Sequence, residues 1–297
     1  MPKPSNKKIN DLLIKADKLF EKNFSATELK ILDGYAYALK QIKADLAKVY
    51  ADLGDFPTIT QVRKKNRLNA LYEKITATIA DKQKIELNAI ASAKKNALLN
   101  SYSSTGFAIR VGSGMAFDFT ILPQKSIEYV LGNDMWTNRM KDTNSGLLTN
   151  IKDEIERTFR KNASREVGAG LAQGKSYSQV AKAIAKNCNT SATRAKRIAF
   201  DQMHAGHMEG RNFGINKAMD SADRLGIKAQ KIWKHYPGAS KTPRPDHADM
   251  NNVPADKDGN FHLPSGGVGQ APGLIDNAKD LYYCHCSAVF EIEGLGE

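Results

Sequence analysis

The side chains able to bind a soft or borderline metal through a thiol or imidazole all lie after residue 187: Cys188, His204, His207, His235, His247, His262, Cys284, His285 and Cys286. These are the ligand types that zinc selects. If the segment carrying Cys284 and Cys286 is extended, the alternation of a strand puts both thiols on one side, where they can pinch one ion. His247 supplies a third donor, and Asp246, His235, His262 or His285 a fourth. The tetrahedral set drawn from the sequence is Cys284, Cys286, His247 and His285, holding a structural zinc ion. The same thiols also suit two small, reduced core residues. A disulfide between them would close too short a loop for ordinary bridge geometry. His204 and His207, three apart on a helix, share a face and offer either a metal pair or a polar stripe.

Other chemistry is poorly supplied. There is no paired-histidine metalloprotease helix, no phosphate-cradling glycine loop and no nucleophile elbow, and Cys188 has no flanking signature of a reactive thiol. Catalysis would rest on His247, Asp246 and the two paired cysteines, as a metal-dependent nuclease or hydrolase. Three cysteines are too few for a disulfide framework and fit synthesis in a reducing cytosol.

The elements that must position these residues are mainly helical. From Thr27 to Leu53, the residues Leu32, Tyr35, Leu39, Ile42, Leu46, Val49 and Leu53 recur in steps of three and four, the seam of a long amphipathic helix. After Gly54-Asp55-Phe56-Pro57, a weaker stripe through Leu68, Leu71, Ile75, Ile79, Ile85, Ala89 and Leu99 predicts a second helix to about Asn100 and so an antiparallel hairpin. Two alternating runs, Phe107-Ile109-Val111 and Met115-Phe117-Phe119-Ile121, flank Gly112-Ser113-Gly114 and predict a β-hairpin over 106–121.

Helical spacing resumes through Ile151, Ile155, Phe159, Ala163, Val167 and Leu171, closed by Gly174. Ser176 caps a short helix to about Lys186, and Ser191 caps a longer one that reaches Leu225 and stops at Gly226. A strand over 227–236, a loop rich in Pro, Gly, Asp and Asn over 237–277, and a last strand near Leu281 to Ile292 follow. The fold class is mainly α with a small α+β module at the C-terminal end. It divides into a basic helical hairpin over 1–105, a β-hairpin plus helical middle over 106–190, and the Cys/His-bearing module over 191–297.

With 41% apolar residues, the 297-residue chain can bury a full core. No run approaches the roughly 18 to 20 apolar residues of a membrane span, and the polar Met1 to Asn10 segment has no apolar stretch behind it, so membrane insertion and secretion are not expected. The net charge is +12, of which +8 comes from the first 100 residues, with 19 Lys/Arg against 11 Asp/Glu. That surplus permits contact with an anionic polymer or an acidic protein surface, or simply a solvated face.

The order of motifs in the C-terminal half resembles the phage Mu F-like head-morphogenesis family of minor capsid proteins. Over about Tyr129 to Phe290 the chain carries Arg194 and Arg197-Ile198-Ala199-Phe200-Asp201-Gln202, then Lys231-Ile232-Trp233, Arg244-Pro245-Asp246-His247-Ala248-Asp249-Met250, Pro272 and Cys284-His285-Cys286. It departs from the family pattern at Gln202, where a Glu is usual, at Asn252 in place of Gly, and at His285 in place of Arg. The resemblance implies a structural minor head protein of a tailed bacteriophage, present in several copies per virion at the portal vertex or capsid interior. It implies portal and major capsid proteins as partners, assembly in the host cytoplasm, contact with packaged double-stranded DNA or a role in its ejection, and no catalysis. His247, Cys284 and Cys286 would then clasp the terminal module. A DNA-binding protein acting apart from the capsid is the alternative.

Overall fold

A computed structural model of the chain describes residues 4–54, 60–61, 67–132, 161–173, 175–236 and 243–296. In chain order its elements are α1 (Asn6–Leu53), α2 (Arg67–Ser113), α3 (Gln124–Gly132), α4 (Tyr177–Arg224), β1 (Ala229–Lys234), α5 (Pro245–Asp249), β2 (Phe261–His262), β3 (Val268–Gly269), α6 (Ala278–Leu281) and β4 (Ser287–Ile292), with residues 161–172 also helical. Among the described residues the chain is mainly α with a small α+β module at its C-terminal end, as expected from the sequence. No helix among the described residues is long and apolar enough to cross a membrane. The chain packs into two compact units, one of Met1–Ser25, Ser92–Gly132 and Phe200–Glu297, the other of Ala26–Ala91 and Asn133–Ala199. Each of the three long helices contributes residues to both.

In the second unit the predicted seam of α1 is buried, through Ile31, Tyr35, Ala38, Ile42, Leu46 and Val49. It faces Leu71, Ile75, Ile79, Leu87 and Ile90 of α2. The two helices run antiparallel: the Lys82 ammonium sits 3.2 Å over the Tyr35 ring, and further along Lys74 lies 4.0 Å from Asp45. Lys82 is itself fully buried and pairs at 2.6 Å with Glu86, one turn on, which neutralises a charge the interior could not otherwise hold. Cys188 of α4 donates to the Tyr35 carbonyl at 3.5 Å, and burial pushes its thiol up to about 11, so it stays protonated and inert. Ala163, Val167 and Leu171 are buried as their spacing predicts. Ile151, Ile155, Phe159 and Gly174 lie outside the described residues.

In the first unit, α2 and α4 run side by side and parallel along a stripe of Gly206, Gly210 and Gly214, one per turn of α4. A Cβ on Gly210 would fall 2.1 Å from the Leu98 carbonyl oxygen, and one on Gly206 2.7 Å from that of Lys94. The helices therefore touch backbone to backbone, which only glycine allows. The start of α1 packs on the end of α2 through Ile9, Leu13, Ala108 and Ile109, in a core completed by Ile232, Trp233, Phe261, Val289 and Phe290 of the small sheets. β1 and β4 pair antiparallel from Ala229↔Ile292 to Lys234↔Ser287, and β2 pairs with β3.

Three expectations are corrected. The 106–121 hairpin does not form: α2 continues to Ser113, and residues 114–123 join no strand. The run that reads as alternating also fits a helix, because Ala108, Ile109 and Gly112 form the buried face against α1 while Phe107 and Val111 point out at 59% and 40% exposure. Next, Ser191 caps nothing. It is buried inside the single 48-residue helix Tyr177–Arg224, which replaces the two helices expected there. Finally, α1 begins at Asn6 rather than near Thr27, because Ile9, Leu13 and Phe20 extend its buried face among the lysines.

Since Gly210 has no space for a side chain, Gly210→Ala is expected to push the helices apart and cost about 1–3 kcal/mol in denaturant unfolding. The exposed change Asp220→Ala on the same helix should cost less than about 0.5 kcal/mol. Equal stability of the two variants would show that the contact is looser than described.

Candidate functional site: a buried Cys/His cluster

Three segments distant in sequence bring the metal-type side chains together. β1 ends at Lys234 and leaves His235 just beyond the sheet. Pro245, at the first turn of α5, starts a helix that turns His247 inward, 2% exposed. Before β4 the chain passes through Tyr283 with φ 53°, and the bend is held by Asp201 of α4, which accepts from the Tyr283 amide at 2.7 Å, and by Arg244, which donates to the Tyr282 carbonyl. Cys284 and Cys286 then point to the same side, both buried.

The ligand atoms of His247, Cys284 and Cys286 lie within 4.8 Å of one another. His247 Nδ1 is 3.6 Å from each sulfur, and His235 Nδ1 is 3.5 Å from Cys286 Sγ. On its far side, His247 Nε2 faces the buried Asp280 carboxylate at 3.5 Å, whose other oxygen accepts from Ser265. At that separation no hydrogen bond forms, but the negative charge favours a proton on Nε2 and so leaves the Nδ1 lone pair to the sulfurs, as around a metal-binding histidine. The Trp233 ring packs edge-on against His247 at 5.5 Å and fixes its plane. The thiols are unlike in acidity. Cys284 is drawn well below the ordinary thiol range, chiefly as the acceptor of a hydrogen bond from Cys286 with His247 adding to the effect, whereas the Cys284 thiolate and burial push Cys286 up.

Of the four residues selected from the sequence, the fold thus gathers Cys284, Cys286 and His247. His285 points to the opposite side, as its place between the two cysteines dictates. Its ring lies 4.6 Å from that of Phe200 and 4.8 Å from that of Tyr283. His262 is an exposed partner of Asp256 at 2.6 Å. His204 and His207 have separate partners, the Cys286 carbonyl at 3.3 Å and Asp17 at 2.8 Å. Burial holds His204 down to about 4, so it stays neutral at physiological pH. Asp246 is not in the group.

Sequence patterning gave no signal for Asp280 or for a second buried cluster beside the cysteines. Arg211 of α4 is fully buried, donates to Asp17 at 2.7 and 3.0 Å and to the Leu13 carbonyl at 3.2 Å, and also donates to Ser287, the residue after Cys286. Burial alone would raise the Asp17 carboxyl, but Arg211 and His207 overcome that and hold it at about 2. The pair therefore stabilises the fold above the ordinary carboxylate pKa, and that contribution fades as pH falls from about 4 towards 2. Asp17→Asn strands the guanidinium and is expected to cost about 3–5 kcal/mol at neutral pH. The difference from the parent should shrink in acid, as the parent's Asp17 becomes protonated towards its pKa of about 2. A stability gap that stays constant with pH would contradict the pairing.

The chain is 26% identical to the minor head protein GP7 of Bacillus phage SPP1 over 300 residues, which covers 99% of this chain and 89% of that protein. It is also 22% identical over 274 residues to the NAD(+)-arginine ADP-ribosyltransferase EFV of Enterococcus faecalis (strain ATCC 700802 / V583), covering 92% of this chain but 53% of that protein. No protein-family model and no solved structure matches. By the first of these similarities, which spans nearly the whole of both proteins, the chain is a relative of a phage minor head protein.

Proposed function

We propose that the chain is a structural minor head protein of the Mu F-like kind, built into the head of a tailed bacteriophage at the portal vertex or the inner face of the capsid. The observation that carries this is the similarity to a minor head protein over 99% of the chain, which includes the long helices as well as the C-terminal module. Its partners are the portal and major capsid proteins, and it assembles in the host cytoplasm. The +8 surplus of the first 100 residues gives it a surface suited to packaged DNA or to an acidic protein partner.

The site chemistry supports a structural role. Two buried thiols, the buried imidazole of His247 and the half-buried one of His235 are the donor types of structural zinc sites, whereas catalytic zinc keeps an open position for water. We therefore assign a structural zinc ion to the cluster and no catalysis to the chain. The transferase activity in the second relative's name belongs to that protein, of which this chain matches 53%.

Infection with phage in which this gene is interrupted is expected to leave major capsid protein synthesis intact but yield heads that are misassembled or fail to deliver DNA, with rescue by the gene in trans. Normal particle yield and infectivity without the protein would refute a role in the head.

A further inference from the structure

We propose that His235, and not His285, is the fourth ligand of a closed Cys2His2 zinc site made by His235, His247, Cys284 and Cys286, with Asp280 as its outer-shell anchor. This rests on the zinc assignment above and makes it specific.

The argument is geometric. Zinc holds sulfur at about 2.3 Å and imidazole nitrogen at about 2.0–2.1 Å, so neighbouring S and N ligands on a tetrahedron are about 3.5–3.6 Å apart. The three sulfur-to-nitrogen separations in the cluster are 3.6, 3.6 and 3.5 Å, and the third belongs to His235. These contacts link the four side chains in the order Cys284, His247, Cys286, His235; His235 stands outside the group whose ligand atoms all lie within 4.8 Å, so closing the tetrahedron takes a swing of its half-buried ring towards Cys284 and His247.

Protons alone account for this poorly. A neutral imidazole nitrogen has a single in-plane lone pair, yet His247 Nδ1 faces two sulfurs at equal distance. Cys286 in turn faces two ring nitrogens with a single S–H. One dication at the centre satisfies all four lone pairs at once. The Asp280 carboxylate on the far side of His247 adds the anionic support expected for a ligating imidazole. His285 cannot join without turning over, because its ring is packed against Phe200 and Tyr283.

Such an ion would tie the end of β1, helix α5 and the lead-in to β4, segments up to 51 residues apart. The test uses the full chain, reduced and loaded with Zn2+ or with Co2+ as a spectroscopic substitute. Expected are one metal per chain, intense tetrahedral Co2+ bands and sulfur-to-cobalt charge transfer. His235→Ala should weaken Zn2+ binding by more than about tenfold, the least expected when even an outer-shell partner is worth about 10–100-fold. It should also dim the tetrahedral bands, whereas His285→Ala leaves both unchanged. His235→Cys, which restores a donor, should recover the tetrahedral bands with stronger charge transfer, so a folding defect in the alanine variant cannot imitate the result. Full tetrahedral bands in His235→Ala, or their loss in His285→Ala, would overturn the fourth-ligand assignment while leaving zinc in place. Failure of the parent chain to bind either metal would overturn the zinc assignment itself.

Discussion

A guanidinium with no exposure to water must be neutralised and hydrogen-bonded on the spot, and Arg211 meets that requirement by gathering three parts of the first unit around itself. Asp17 and the Leu13 carbonyl come from α1, Arg211 from α4 and Ser287 from β4. Leaving any partner behind would strand charge in a low-dielectric interior, at a cost comparable to a large share of a domain's stability. The pairing therefore fixes α1 on α4 and sets where β4 begins. Because Ser287 follows Cys286 directly, it also sets where the two thiols stand. The glycine stripe on α4 plays the complementary part by letting α2 approach to backbone contact.

Much of this was legible in the residues, and what was not has physical causes. The α1 seam through Tyr35, Ile42 and Leu46 could be read because the 3.6-residue period is redundant over many turns. The gathering of Cys284, Cys286 and His247 could be read because two-residue alternation in an extended segment is a local rule. The same rule argues against His285, since neighbouring strand residues face opposite ways. The alternation over 107–111 misleads because a short apolar run fits both periods, and packing of Gly112 on Ile9 decides for the helix. Ser191 is a good cap residue placed where tertiary burial overrides local preference. Arg211, Asp17 and Asp280 carry no local signature at all, because their importance comes from pairing across 15 to 194 residues of sequence.

The motifs that carried the family resemblance turn out to be parts of one construction. Asp201 and Arg244 hold the bend at Tyr282 and Tyr283, Trp233 fixes the ring of His247, and Lys231 donates to Asn212 and to the Gln270 carbonyl, both at 2.8 Å. Burial, opposed only weakly by the charges of Asp256 and Glu209, pulls the Lys231 ammonium down to about 8, as befits a cation used as an internal strut. The motif residues thus brace a small module against a helical frame.

The central claim, that this frame and module form a structural part of a phage head, is tested most directly by quantitative mass spectrometry of purified, DNA-filled heads. The account predicts peptides from the whole chain at a fixed, low ratio to the major capsid protein, retained through high-salt washing. Heads that are complete and infectious but contain none of the chain would contradict it.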